Sequence, residues 1–235
     1  MRSIWRTLDR RVARDIALVL VADAIVGASF GAITVSVGLP FWLPSLLSVA
    51  VFAGAAQFAF VGILAAGGTP LAAAAAGLLI NARHLPFGFA VADVLGTSLV
   101  RRILGTHLMI DESVAFALAQ KEPQQRRAAY WACGVGLFLC WNLGVLAGAF
   151  GGTVISDTDA FGLDAAFPAV LLALVLPSLR DRPTVLAAAV GVVIALATAP
   201  FVPAGLPVLL ALAGLLVTWR PRRREDVRDR TGVVA

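Results

Sequence analysis

The sequence predicts an all-α fold, a polytopic transmembrane helix bundle of about eight spans. Three observations carry this. The chain has 235 residues, of which 60% are hydrophobic and only 14% charged, where a soluble domain carries about 25% charged residues. With a mean hydropathy of +0.89 it has too little polar side chain to clothe a wet surface. Apolar runs of bilayer length recur along it, punctuated by Gly and Pro. At about 20 residues per span, eight spans take about 160 residues and leave only tails and short loops. Finally, the basic residues cluster at the ends and in short loops. A cytosolic enzyme, a disordered chain and a disulfide scaffold are excluded.

The segments follow in order. The first, about 15–38, is closed by Gly38 and Pro40. Basic residues precede it, as in a signal peptide, but the run Ile16 to Leu39 is longer than a signal core and lacks a small-residue cleavage site, so it reads as a retained span. The second, about 42–66, ends at Gly67-Gly68, and Pro70 opens the third, about 70–92. The fourth, about 95–118, is compromised by Arg101, Arg102, His107, Asp111 and Glu112. The fifth covers about 128–150. Three short, Pro-punctuated segments follow at about 165–179, 184–199 and 204–219. The organisation expected is a basic tail over 1–15, one membrane domain over 16–219 and a second basic tail over 220–235.

Charge sets the expected orientation. Arg2, Arg6, Arg10, Arg11 and Arg14 precede the first span, and Arg220, Arg222, Arg223, Arg224, Arg228 and Arg230 follow the last. Basic flanks mark the cytoplasmic side, so both termini are expected in the cytoplasm of a multi-pass protein of the inner (plasma) membrane, and the net charge of +5 signals topology rather than nucleic acid. Lys121, Arg126 and Arg127 place loop 120–127 inside, Arg180 and Arg182 do the same for 180–183, and Asp157, Asp159 and Asp164 suit the outside. Eight crossings satisfy these marks, with Arg101 and Arg102 as the exception on the outer side. Six crossings with two re-entrant segments keep the same parity.

Gly27 and Gly31 are four apart, as are Gly144, Gly148 and Gly152. That spacing lets helix backbones approach closely. Trp42 and Trp219 sit at span ends, where indoles favour the interface. Cys133 and Cys140 are seven apart on one helix face, read as small apolar filler. No metal spacing, nucleotide loop or serine elbow is present, and no cofactor is expected.

Polar groups in a bilayer are costly and mark partners, water or function. Gln57 lies in an apolar run behind small residues. Asn81 and His84 are three apart, near one helix face, around Arg83, whose guanidinium suits a carboxylate. Pro86 frees a backbone carbonyl near Ala82, and broken helices are where transporters place substrate. Asp111 and Glu112 are adjacent, about 100° apart on a helix, so one can face Arg83 or His84 while the other faces a cavity. Asp23 lies alone in the first span. Each has a plainer reading: an interhelical hydrogen bond for Gln57, a snorkelling cation for Arg83, a helix N-terminus for the two acids.

FAGAAQF at 52–58, NARHLPFG at 81–88 and IDESVAFAL at 110–118, with Trp141 and the glycines to Gly152 and then GLDAAFPAVLLALVLPSLRDR at 162–182, resemble the AzlC-type branched-chain amino acid exporters over about residues 16–219. Ile110 stands where the family usually has Thr, and Leu85-Pro86-Phe87 where it often has Leu-Leu-Tyr. The resemblance implies efflux of valine, leucine and isoleucine, sometimes methionine, driven by the proton gradient. It also implies a small AzlD-type membrane subunit as partner. It places the functional positions at Gln57, Asn81, Arg83, His84, Asp111 and Glu112. The expected site therefore has Gln57, Asn81, Arg83 and His84 on substrate, with Asp111, Glu112 and Asp23 carrying protons. The rivals are an intramembrane enzyme, for which no nucleophile or metal set is present, and a non-transporting scaffold or regulatory subunit of a two-component exporter.

Overall fold

The computed structural model describes residues 7–154, 172, 176, 179, 181–202 and 206–218. The expected span at 165–179, the acidic loop, Trp219 and the C-terminal tail fall wholly or mostly outside them. Among the described residues every regular element is helical: α1 (Arg10–Ser36), α2 (Trp42–Ala50), α3 (Gly54–Ala65), α4 (Pro70–Asn81), α5 (His84–Ala90), α6 (Ala92–Leu95), α7 (Leu99–His107), α8 (Asp111–Leu118), α9 (Pro123–Val154), α10 (Arg182–Thr198) and α11 (Leu206–Ala211), the last running into a 3-10 turn, Leu212–Thr218.

Two helices are long. α1 has 27 residues and α9 has 32, about 40 and 48 Å at 1.5 Å per residue, enough to cross a hydrocarbon core of about 30 Å. Asp9 caps α1, accepting the Arg11 N–H at 3.1 Å. The two helices pack side by side and parallel: Leu20 touches Gly136, Gly27 touches Trp141, Gly31 meets Val145 and Gly152 meets Ala32. A β-carbon on Gly31 or Gly148 would overlap the carbonyl oxygen of Val145 or Ala28. The glycine spacing therefore serves contact within the chain, where dispersion between close backbones replaces the hydrophobic effect. Around this pair the outer surface is apolar. Ile25 is 64% exposed, Leu143 67% and Phe89 87%, which water would not tolerate over so wide a surface and lipid does.

Three apolar segments are broken in the middle. The second is interrupted at 51–53, the third at 82–83 and the fourth at 108–110. Their contacts with α9 give the direction of each half. α2 descends along α9, with Phe41 against Phe150 (ring centroids 4.9 Å), Ser48 donating to Asn142 Oδ1 at 2.7 Å and Phe52 against Phe138 (5.2 Å). α3 then turns back toward Phe30, which its Phe58 meets at 5.2 Å. Likewise Gly96, before α7, lies against Arg127, and Leu108 lies against Gly134. α8 then returns to pack Val114 and Ala117 with Tyr130.

Segments 42–65 and 99–118 are thus helical hairpins, as in the arrangement with two re-entrant segments. They enter from opposite ends of the α1–α9 pair. The broken third segment, α4–α5, traverses between them. Gly77 lies beside Ala56 and the Ala90 carbonyl accepts from Arg126. This topology removes the anomaly of Arg101 and Arg102: their hairpin opens at the same end as Arg126 and Arg127, and the parallel register brings Arg10 to Arg14 to that end too. The charges expected on the outer side join the basic end because the fourth segment doubles back. α10, capped by Asp181, which accepts the Thr184 N–H and hydroxyl, pairs with α11 where Gly191 meets Ala211 and with the 3-10 turn where Gly214 meets Ala187. This pair meets the rest through Leu209, against Ile63 and Ala73.

Candidate functional site

The three breaks converge near the midpoints of α1 and α9. Around them lies a cavity of about 590 Å³, walled by Val19, Ala22, Asp23 and Val26 of α1, Phe52 to Ala55 and Phe58 of the first hairpin, Arg83, Ile110 to Glu112 of the second hairpin, and Trp141. The volume lies within the range of small-molecule sites. One side of the wall is apolar. The other holds one cation and three carboxyl groups among the described residues.

Each break presents its groups for a local reason. In the first, the extended Ala53 starts α3 with no side-chain cap, and Gly54 lies so close to the Trp141 ring that a β-carbon there would stand 3.1 Å from it. The first-turn N–H groups of α3 therefore have no capping side chain, and Gly54 and Ala55 of that turn line the cavity. At 82–83 the tight turn between α4 and α5, its backbone still in the helical region, presents Arg83, whose Nη2 meets Asp111 Oδ2 at 2.9 Å. Both partners are over a third exposed (36% and 44%), so the pair is open to the cavity. In the third break the extended Ile110 starts α8 and turns Asp111 and Glu112 into the site at the positive end of a helix, where carboxylates are favoured. Asp23 lines the same cavity from α1, and its Oδ2 is buried without a hydrogen-bond partner.

Of the residues expected on substrate, Arg83 alone lines this cavity. Gln57 is buried at 1% exposure beneath the first tip, where its amide lies within 3.3 Å of the Leu47 carbonyl and 3.4 Å of the Val51 carbonyl. Asn81 and His84 line a second, smaller cavity of about 160 Å³ with His107, across Phe52 and Ala53. There His84 Nδ1 lies 3.0 Å from the Asn81 carbonyl and His107 packs on Phe138 (5.6 Å). Asn81 and His84 thus share a face, as their spacing of three predicts, while Arg83, one position off, faces the larger cavity. Asp111, Glu112 and Asp23 do come together.

Sequence reasoning missed Phe52, Ser113 and the role of Trp141. Ser113 is fully buried; its hydroxyl accepts the Ile110 N–H at 3.0 Å and lies 3.1 Å from the Leu108 carbonyl. The legible signal was a Ser two residues after an acid in an otherwise apolar run.

Comparison with known proteins places this architecture. The family described as AzlC protein matches residues 19–155, from α1 to just beyond the end of α9. The branched-chain amino acid transport protein AzlC of Bacillus subtilis (strain 168) is 25% identical over 210 residues, 86% of this chain and 81% of that one. An uncharacterized membrane protein of Haemophilus influenzae is 26% identical over 134 residues, 55% of this chain. The match covers only 54% of that relative's length. A membrane protein of Helicobacter pylori, also uncharacterized, is 24% identical over 179 residues, 75% of this chain and 78% of that one. No solved structure matches. Since the family match covers more than half of the chain, including α1, α9 and both hairpins, the chain belongs to the AzlC family.

Proposed function

We propose that the central cavity binds a branched-chain amino acid and that the chain exports it, coupled to the proton gradient, with a small AzlD-type membrane subunit. The observation that carries this reading is the cavity's composition at mid-depth: an apolar wall opposite Arg83, Asp111, Glu112 and Asp23, at the meeting of three broken helices. Discontinuous helices at the membrane midplane are where secondary transporters hold substrate. The name of the Bacillus relative supplies the substrate class.

A zwitterion fits by parts. Its carboxylate lies between the uncapped N-terminus of α3 and Arg83. Its ammonium turns to Asp23 and Glu112. Val19, Val26, Phe52 and Phe58 receive the aliphatic side chain. Arg83 is already engaged by Asp111, so substrate shares this cation with the pair rather than replacing it. A carboxyl that gains or loses a proton as ammonium leaves or arrives couples the two fluxes; that carboxyl is one of Glu112, Asp111 and Asp23. The arginine-bearing end faces the cytoplasm by the positive-inside rule.

The test is efflux of labelled valine and leucine from cells expressing the chain with and without its small partner, with both proteins verified in the membrane. Partner-dependent efflux that Arg83→Ala abolishes, with membrane levels unchanged, is the expected result. Wild-type efflux by Arg83→Ala removes the site. The absence of branched-chain efflux with both proteins present removes the substrate class.

A further inference from the structure

The two hairpins are built alike and inverted. Each is a half-helix, a three-residue break (51–53 and 108–110) and a second half-helix, with arms of 8–12 residues. One opens at the end of the molecule that bears Phe41 and Phe150, the other at the end that bears Arg101 and Arg127. Their tips meet in the middle, where the Phe52 and His107 rings lie 6.4 Å apart. In each, a fully buried polar side chain from the first turn of the second arm reaches back to carbonyls of the break, and in the first hairpin also to one of the first arm. Gln57 does so to Leu47 and Val51. Ser113 does so to Leu108 and Ile110, and it also takes the Ile110 N–H. Neither side chain lines the cavity. Each therefore acts on the cavity only through the backbone of its tip.

We propose that Gln57 and Ser113 are positioning residues, each latching one tip, and that each hairpin gates the cavity from its own end. Resting on the transport reading, this makes the two hairpins the two gates of alternating access, with opposite sidedness. Loss of the Gln57 latch loosens the tip that separates the cavity from the Phe41 end. Loss of the Ser113 latch loosens the tip facing the arginine end. A residue that served only general stability would show no preference for one end.

The experiment reads that preference without needing transport. In the full chain with its native cysteines replaced (Cys133→Ala, Cys140→Ala), Ala22→Cys on the cavity wall is labelled by a membrane-impermeant maleimide. Labelling is run in right-side-out and in inverted vesicles. Gln57→Met, which keeps the volume and removes the donor, raises the labelling rate from the Phe41 end; Ser113→Ala raises it from the arginine end. Each change is about 2-fold to 10-fold, the effect of one lost hydrogen bond, with the other face unchanged. Ser113→Thr, which keeps the hydroxyl, returns to the parent rate. Equal changes on both faces, change on the wrong face, or no change in either variant overturns the inference. Sided labelling in a protein that moves no branched-chain amino acid would retain the gates and discard the substrate.

Discussion

The two hairpins share a plan and differ at their tips. The first presents Phe52, Ala53, Gly54 and Ala55, small or apolar, at a helix start with no cap. The second presents Ile110, Asp111 and Glu112 at a helix start whose N-cap amide is held by Ser113. A helix N-terminus carries about half a positive charge. In α8 the chain fills that position with its own carboxylates. In α3 it leaves the position to something that must arrive. One half of an inverted pair thus supplies negative charge, and the other supplies room and positive potential for the carboxylate of a ligand. A zwitterion needs both.

The largest effect is expected where the tips are tied together. Arg83 is the cation between the Asp111 tip and the cavity. Arg83→Ala leaves three carboxyl groups facing one cavity without a counter-charge. Labelled leucine efflux should fall to background, at least about 100-fold, in line with the cost of leaving a charge of an ion pair unpartnered. Arg83→Lys keeps the charge and loses the fork, and should recover only part. Full activity in either variant would detach the pair from function.

Making the tips alike is the next test. Ala55 of the bare tip lies in the first turn of α3 on the cavity wall, as Glu112 does in α8. Ala55→Asp gives the first hairpin its own carboxylate. It should weaken leucine binding by about 10-fold to 100-fold, the range of one unfavourable charge interaction of about 1–3 kcal/mol, while the protein stays folded because acids suit a helix start. Ala55→Ser, uncharged and small, should bind nearly as the parent does. Isothermal titration of the purified protein reads both; equal affinity in Ala55→Asp and the parent would remove the α3 terminus from the site.

The acidic tip is expected to separate coupling from binding. Glu112→Gln keeps size and hydrogen bonding but carries no proton. If Glu112 and Asp111 include the coupling group, at least one of Glu112→Gln and Asp111→Asn must move leucine down its gradient with no response to an imposed pH difference. Counterflow in proteoliposomes at equal and unequal pH checks this. Both variants responding to the pH step as the parent does would move coupling to Asp23.

Much of this arrangement was legible beforehand, and the failures have one cause. The apolar runs and the close packing at the glycines follow from composition and spacing; which helices the glycines join, and which of Asp111 and Glu112 meets Arg83, do not. What composition cannot encode is direction. An apolar segment of about 24 residues with a short break has the same content whether it crosses or doubles back. Arg101 and Arg102 held the clue, since a basic pair that breaks the charge rule marks the hairpin that returns to the basic end. Asn81 and His84 keep the common face that their spacing gives them, but that face lines a cavity other than the one that holds Arg83.

That second cavity gives the smallest expected effect and the sharpest limit on the comparison. His84 and His107 lie beyond Phe52, away from Asp23 and Glu112. His84 touches backbone at the Asn81 carbonyl, and its ring packs edge-on against Phe87 at 6.0 Å. A glutamine can keep the carbonyl contact and loses only the ring packing, about 0.5–1.5 kcal/mol for an aromatic pair. If the charged tip and the bare tip together make the site, His84→Gln should leave leucine efflux within about 3-fold of the parent, with the pH response intact. The remaining change should appear as lower thermal stability. If His84→Gln abolishes the pH response instead, the proton leaves through the smaller cavity and Phe52 stands on its path rather than on its wall. The contrast between the tips would then describe substrate binding alone.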